Sequence, residues 1–214
     1  MKKNLPEMVV LRDKSGSRVG LEADTVGGFN SMIERQKGEG GEALVSTVLF
    51  SNQSQVIYDR VALTEIAPMT RRDYCVGGCT ALIDAIGSAI HHIGNVHKYA
   101  REEDRPEHTI FVIMTDGMEN ASRHYSSDQV KAMVQRQKER YGWEFLFLGA
   151  NIDAVETAAH FGIEEDRAVT FRNDAGGQAV NYATVGEAVR SVRANERLER
   201  SWKQAIERDF ENRN

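Results

Sequence analysis

The chain of 214 residues is short of several things, and each shortage excludes something. Its two cysteines, Cys75 and Cys79, stand four apart in a glycine-containing loop. They supply neither a disulfide framework nor a four-ligand zinc site and read as reduced loop thiols. Long apolar runs are missing too: the longest, Ile110 to Met114, falls far short of the roughly 20 residues that a membrane span needs. Met1-Lys2-Lys3 leads into Asn4, Leu5, Pro6 and Glu7 rather than into an apolar stretch, so no secretory signal is read and a cytoplasmic protein is expected. Positive charge is scarce, with 27 Lys and Arg against 32 Asp and Glu and a net charge of -5, the wrong sign for a general phosphate-backbone binder. Neither a nucleic-acid nor a membrane partner is expected.

What is present is ordinary globular material, 41% hydrophobic and 28% charged, at a length that suits one domain with an appendage. Short apolar runs at 8–11, 44–50, around 56–58, 110–114, 145–148 and, more weakly, 168–171 read as strands, the second and third joined by the polar turn Ser51-Asn52-Gln53-Ser54 as an antiparallel hairpin. Between them lie amphipathic helices. One runs over about 20–37 and carries Gly27-Gly28, which should weaken it unless close packing requires them. Leu82, Ile86, Ala89, Ile93 and Val96 define a second over about 80–100. Ser126 and Gln129 form a capping box for a third that Gly142 stops, and Asp153 with Glu156 opens a fourth that Gly162 closes. This order predicts an α/β fold: a Rossmann-like, doubly wound, mostly parallel six-stranded sheet with one antiparallel edge strand and helices on both faces. Residues 1–175 are assigned to that domain and 176–214 to a C-terminal helical extension. In the extension Leu198, Trp202, Ile206 and Phe210 step by four, while Glu196–Arg200 and Glu199–Lys203 are helix-supporting pairs.

In an open α/β sheet, functional groups collect beyond the carboxyl ends of the strands. Three segments fall there: Asp13-Lys14-Ser15-Gly16-Ser17 after the first strand, Gly77-Gly78-Cys79-Thr80 before the long second helix, and Thr115-Asp116-Gly117 after the fourth strand. Together they bring two carboxylates, Asp13 and Asp116, and three hydroxyls, Ser15, Ser17 and Thr80. Hard oxygen donors without imidazole or thiolate favour Mg²⁺ or Mn²⁺ over zinc or copper. Five side chains leave at least one coordination position open to solvent or ligand. Because hydroxyls carry no charge, the cation is only partly neutralised and attracts an incoming carboxylate. One D-x-S-x-S means little alone; its placement beside the other two segments carries the weight.

The combination resembles the von Willebrand factor type A (VWA) domain and its metal-ion-dependent adhesion site (MIDAS), in which D-x-S-x-S, a distant Thr and a distant Asp surround a divalent cation. All five positions are filled, by Asp13, Ser15, Ser17, Thr80 and Asp116, and the likeness runs over residues 7 to about 175. It looks most like the compact intracellular bacterial or phage versions. Arg18 stands where a methionine is common, and Cys79 precedes the threonine where a small or hydroxylated residue is usual. The resemblance implies a non-catalytic, cation-dependent binding module that captures an Asp or Glu from a partner protein; separately, the C-terminal stripe leaves a monomer or weak homodimer as the expected state.

Two other functions compete. A Mg²⁺-dependent phosphoryl-transfer hydrolase would use Asp13 as nucleophile, but wants a second acid two residues on, where Ser15 stands, and a lysine in a clamp motif. A self-associating structural protein would use the stripe from Leu198 to Phe210. The histidines, His91, His92 and His97 included, lack companions at zinc-ligand spacing, and Glu119 and Asn120 are candidates for the rim of the metal face.

Overall fold

The computed structural model describes residues 2–16 and 19–213. Strands β1 (Lys2–Asp13), β2 (Leu44–Phe50), β3 (Ser54–Ala62), β4 (Pro106–Thr115), β5 (Glu144–Gly149) and β6 (Ala168–Thr170) form one sheet in the order β3-β2-β1-β4-β5-β6. All neighbours are parallel except β2 and β3, which pair antiparallel at one edge. The doubly wound sheet with one antiparallel edge strand is therefore the architecture present. The central strands are buried on both faces, which is why they are written as continuous apolar runs rather than alternating ones.

Helices cover both faces. α1 (Glu22–Gly38) and α5 (Ala175–Arg193) pack on the face lined by Met8, Val10, Val45, Val112 and Leu146. On the other, α2 (Leu82–Tyr99), α3 (Ser127–Tyr141) and α4 (Ala154–His160) cover Val9, Leu11, Phe111, Ile113 and Phe147. The caps follow local chemistry. Ser126 and Gln129 make a reciprocal capping box, and Gly142 ends α3 in the left-handed conformation at φ 64°. The Asp153 side chain accepts from the Glu156 amide to open α4. Among the described residues no helix is long and apolar enough to cross a membrane.

Close packing accounts for Gly28 but not Gly27. A Cβ at Gly28 would lie 2.2 Å from the Tyr182 ring of α5, so this glycine lets α1 and α5 approach; at Gly27 nothing stands within 4 Å. The C-terminal stripe is broken, contrary to one continuous helix. Asn195, at φ 58°, terminates the run from α5, Glu199 is extended, and only α6 (Gln204–Asn212) resumes the α-helix after a short 3₁₀ turn. Accordingly the ion pairs differ from the helical ones expected: Arg200 pairs with Glu165, and Lys203 with Glu207 while donating to the carbonyls of Glu165 and Ala168. Leu198 and Ile206 are buried in the same core as α1 and α5, and the Trp202 indole donates to the Asp166 carbonyl. The apolar stripe thus packs on the chain's own domain.

Candidate functional site

The chain leaves β1 through α1 to β2 on one side and, after β3, returns through α2 to β4 on the other side of β1, so the topological switch point lies between the carboxyl ends of β1 and β4. Asp13 is the last residue of β1, and Asp116 directly follows β4. Both are buried, as are Ser15 and Thr80. Ser17 lies outside the described residues, as does Arg18.

Asp13 organises this end of the sheet. Its Oδ1 accepts from the Ser15 amide at 2.7 Å, and its Oδ2 accepts from the Thr115 hydroxyl at 2.8 Å and, more distantly, from the Asp116 amide at 3.4 Å. The buried Tyr74 donates its hydroxyl to the Asp13 carbonyl at 2.6 Å. Asp116 is reached from the far side by Asn173, whose Nδ2 lies 3.2 Å from Oδ2, and the Asp116 carbonyl accepts from Asn151. The two carboxylates predicted from the strand ends are thereby brought into one constellation.

Thr80 is delivered by loop stitching. The Gly77 amide donates to the Lys14 carbonyl and the Gly16 amide to the Gly78 carbonyl, tying this loop to the one after β1. Gly78, at φ 85°, sits where an added Cβ would meet the Asn52 side chain at 2.0 Å, so the loop tolerates only glycine there. Asn120 then grips Thr80 from both ends: its Oδ1 accepts from the Thr80 amide at 2.8 Å, and its own amide donates to the Thr80 carbonyl at 3.0 Å. The Thr80 hydroxyl itself makes no hydrogen bond among the described residues.

Glu119, expected at the rim, is tied into the scaffold. Its carboxylate accepts from the amides of Ile83, Ala121 and Ser122 and from the Ser122 hydroxyl. Asp84, in the first turn of α2, does the same for the next segment, accepting from the amides of Arg123, His124 and Tyr125. Burial works to raise the Asp84 pKa, but these amides outweigh it and hold the carboxyl below its ordinary range. A depressed folded-state pKa means stability that is fully present above the unfolded value near about 3.9 and is lost as pH falls through the folded value. Urea unfolding between pH 6 and pH 3 should therefore show stability falling in the acid range, with a shallower fall in Asp84→Asn; equal slopes would contradict the role.

The chemistry available is that of oxygen. Asp13, Ser15, Thr80 and Asp116 stand on three loops that are hydrogen-bonded to one another, and among the described residues no group of three or more His, Cys, Asp and Glu is placed to hold a metal. Oxygen donors of this kind are able to hold a divalent cation. Of the histidines, His92 pairs with Asp59 and His97 with the buried Glu7. Cys75 and Cys79 are exposed and unbridged. A groove of about 830 Å³ between α2 and α3, lined by Lys98, Arg105 and Trp143 among others, opens at the amino-terminal end of β4 and β5, away from the Asp13 loops. Sequence reasoning missed Thr115, Tyr74 and Asn173. Thr115 was within reach, since it completes the Thr115-Asp116-Gly117 turn; Tyr74 and Asn173 come from loops that no local signal links to β1.

No family model and no curated protein sequence matches the chain. Solved structures do. The chain is similar to proximal thread matrix protein 1 of the mussel byssus, solved with a zinc-occupied MIDAS motif, at a TM-score of 0.57 and 12% identity over 86% of this chain and 45% of that one. It is similar to the ArnB paralog VWA2 from Sulfolobus acidocaldarius at 0.53 and 18%, over 88% and 45%. A von Willebrand factor type A protein from Catenulispora acidiphila gives 0.54 and 12%, over 87% and 42%. The chain thus spans less than half the length of these three proteins. At such identities the likeness shows the fold, which is of the VWA type.

Proposed function

We propose that the chain is a divalent-cation-dependent protein-binding module whose Asp13, Ser15, Ser17, Thr80 and Asp116 hold Mg²⁺ or Mn²⁺ and whose ligand is a partner protein's Asp or Glu. The observation that supports this reading is the joining of the loops that carry Asp13, Ser15, Thr80 and Asp116 at the switch point, with a Thr80 hydroxyl that makes no hydrogen bond among the described residues. When bound, the cation would supply electrostatic attraction for a carboxylate. The chain's own residues do the positioning. Asp13 holds the Ser15 amide and the Thr115 hydroxyl, and Asn120 holds Thr80 by its backbone. The zinc-occupied motif of the mussel protein, on the same fold, supports a cation here.

Hydrolase chemistry is disfavoured by the same geometry. Both Asp13 oxygens are engaged by donors, which lowers their nucleophilicity, and the Lys14 ammonium is turned to Gln55 at 2.7 Å. With EDTA-treated protein, Mg²⁺ or Mn²⁺ at a hundred times its Kd should raise the melting temperature by about 5–10 °C. Thr80→Ala removes the hydroxyl and one methyl while Asn120 keeps its grip on the backbone, and should reduce that rise with only a small change in the melting point in EDTA. An unchanged melting temperature of the wild type on adding either cation would sink the proposal.

A further inference from the structure

Along β1 the side chains facing α1 and α5 are Met8, Val10 and then Arg12. Arg12 is 2% exposed and heads the fully buried side chains by volume. Its Nη2 donates to Gln178 Oε1 of α5 at 2.8 Å and reaches Thr25 Oγ1 of α1 at 3.4 Å, and the guanidinium stands 5.8 Å from the centre of the Tyr182 ring. Nε and Nη1 donate to no group among the described residues. Two neutral acceptors and a ring do not match the cost of burying a full charge. Burial works to lower its pKa, but Tyr182 and Tyr74, and after them the Asp116 and Asp13 carboxylates, hold it above the ordinary value. An arginine stays charged in any such setting, and Arg12 directly precedes Asp13 in β1 and pairs across the sheet with Met114, two residues before Asp116.

We propose that Arg12 is a built-in counter-cation that makes metal loading of the Asp13–Asp116 site depend on an incoming carboxylate. The inference rests on the cation-binding reading given above. Its logic is a charge count in a buried region, where net charge is disfavoured. Asp13, Asp116 and Arg12 together carry -1. A divalent cation alone takes the group to +1, and a cation with one ligand carboxylate takes it to zero. Without Arg12 the cation alone already reaches zero, and the ligand carboxylate overshoots to -1. Arg12 thus moves the neutral state from the metal-loaded form to the form carrying both metal and ligand, so each must raise the other's affinity by the same factor. It also offsets half of the acidic charge when no cation is present, so the strand ends hold together without one.

The test uses the full chain and Mn²⁺ followed by calorimetry, with sodium acetate as the carboxylate probe against sodium chloride at equal ionic strength. In wild type, acetate should tighten Mn²⁺ binding by about tenfold over chloride. Arg12→Met should bind Mn²⁺ about tenfold more tightly than wild type in chloride and lose the acetate effect. Arg12→Lys, which keeps the charge but not the guanidinium's planar fork, should restore the acetate effect, an outcome that a purely structural role would not produce. Mn²⁺ binding that is equal in wild type and Arg12→Met, or indifferent to acetate in wild type, overturns the inference while leaving the metal site standing. The wild-type measurement decides even if Arg12→Met does not fold. Failure of all folded forms to bind Mn²⁺ overturns the cation-binding reading and this inference with it.

Discussion

Glu7→Ala is expected to destabilise the protein by about 3–5 kcal/mol, the cost of breaking a buried ion pair by removing one partner. Glu7 lies within β1, between Leu44 of β2 and Thr109 of β4, with its side chain fully buried. Its Oε1 accepts from Arg60 Nε at 2.6 Å, and its Oε2 faces His97 Nε2 near the end of α2. Arg60 reaches it because the β2–β3 pairing is irregular there: the register shifts between Val45 and Thr47 of β2, and Arg60 takes the left-handed conformation at φ 52°, its amide donating to Ser46 Oγ. One carboxylate therefore ties a central strand to the antiparallel edge and to α2. Glu7→Gln keeps the shape and an acceptor for Arg60, so it should recover part of the loss. Urea titration of the three forms measures this, and a loss below about 1 kcal/mol for the alanine variant would place the pair with weak surface bridges.

The second large effect belongs to Asp13→Ala, which should lower stability by about 2–4 kcal/mol even in EDTA and also abolish the stabilisation by Mg²⁺ or Mn²⁺. The first effect follows because the Ser15 amide, the Thr115 hydroxyl and the Asp116 amide all use Asp13 in a site with no exposure, and each buried donor left unpaired costs about 1–3 kcal/mol. The second follows from its proposed place among the cation's ligands. Thr80→Ala is the control that separates them, because it deletes a proposed ligand without orphaning a donor. Thermal unfolding in EDTA and with added cation gives both readings from one set of samples. A cation response surviving intact in Asp13→Ala would remove Asp13 from the site.

Legibility in the sequence followed the range of the forces involved. The strand runs, the hairpin turn, the Ser126–Gln129 capping box, the Gly142 stop and the Asp153 cap were readable because each rests on neighbours within four residues. The same local logic failed at 195–199. Charge spacing there satisfies a helix, yet Asn195 turns left-handed and Glu165, distant in sequence, takes Arg200. Periodicity marks which side of a segment is buried; it carries no information on which remote carbonyl or carboxylate will claim a side chain.

By itself the sequence determined the alternation of buried strands and amphipathic helices, hence the doubly wound sheet, and it marked Asp13 and Asp116 as strand-end acids with hydroxyls nearby. Only the tertiary structure decided how those loops are joined and what lies next to them: Asn120 clasping Thr80, Asn173 reaching Asp116, Tyr74 bonding to the Asp13 carbonyl, and Arg12 lodged between α1 and α5. The reason is physical. Apolar burial is nearly non-directional and leaves a period in the chain, whereas a buried polar group needs one partner at one distance and angle, and that partner is chosen by how the whole chain packs.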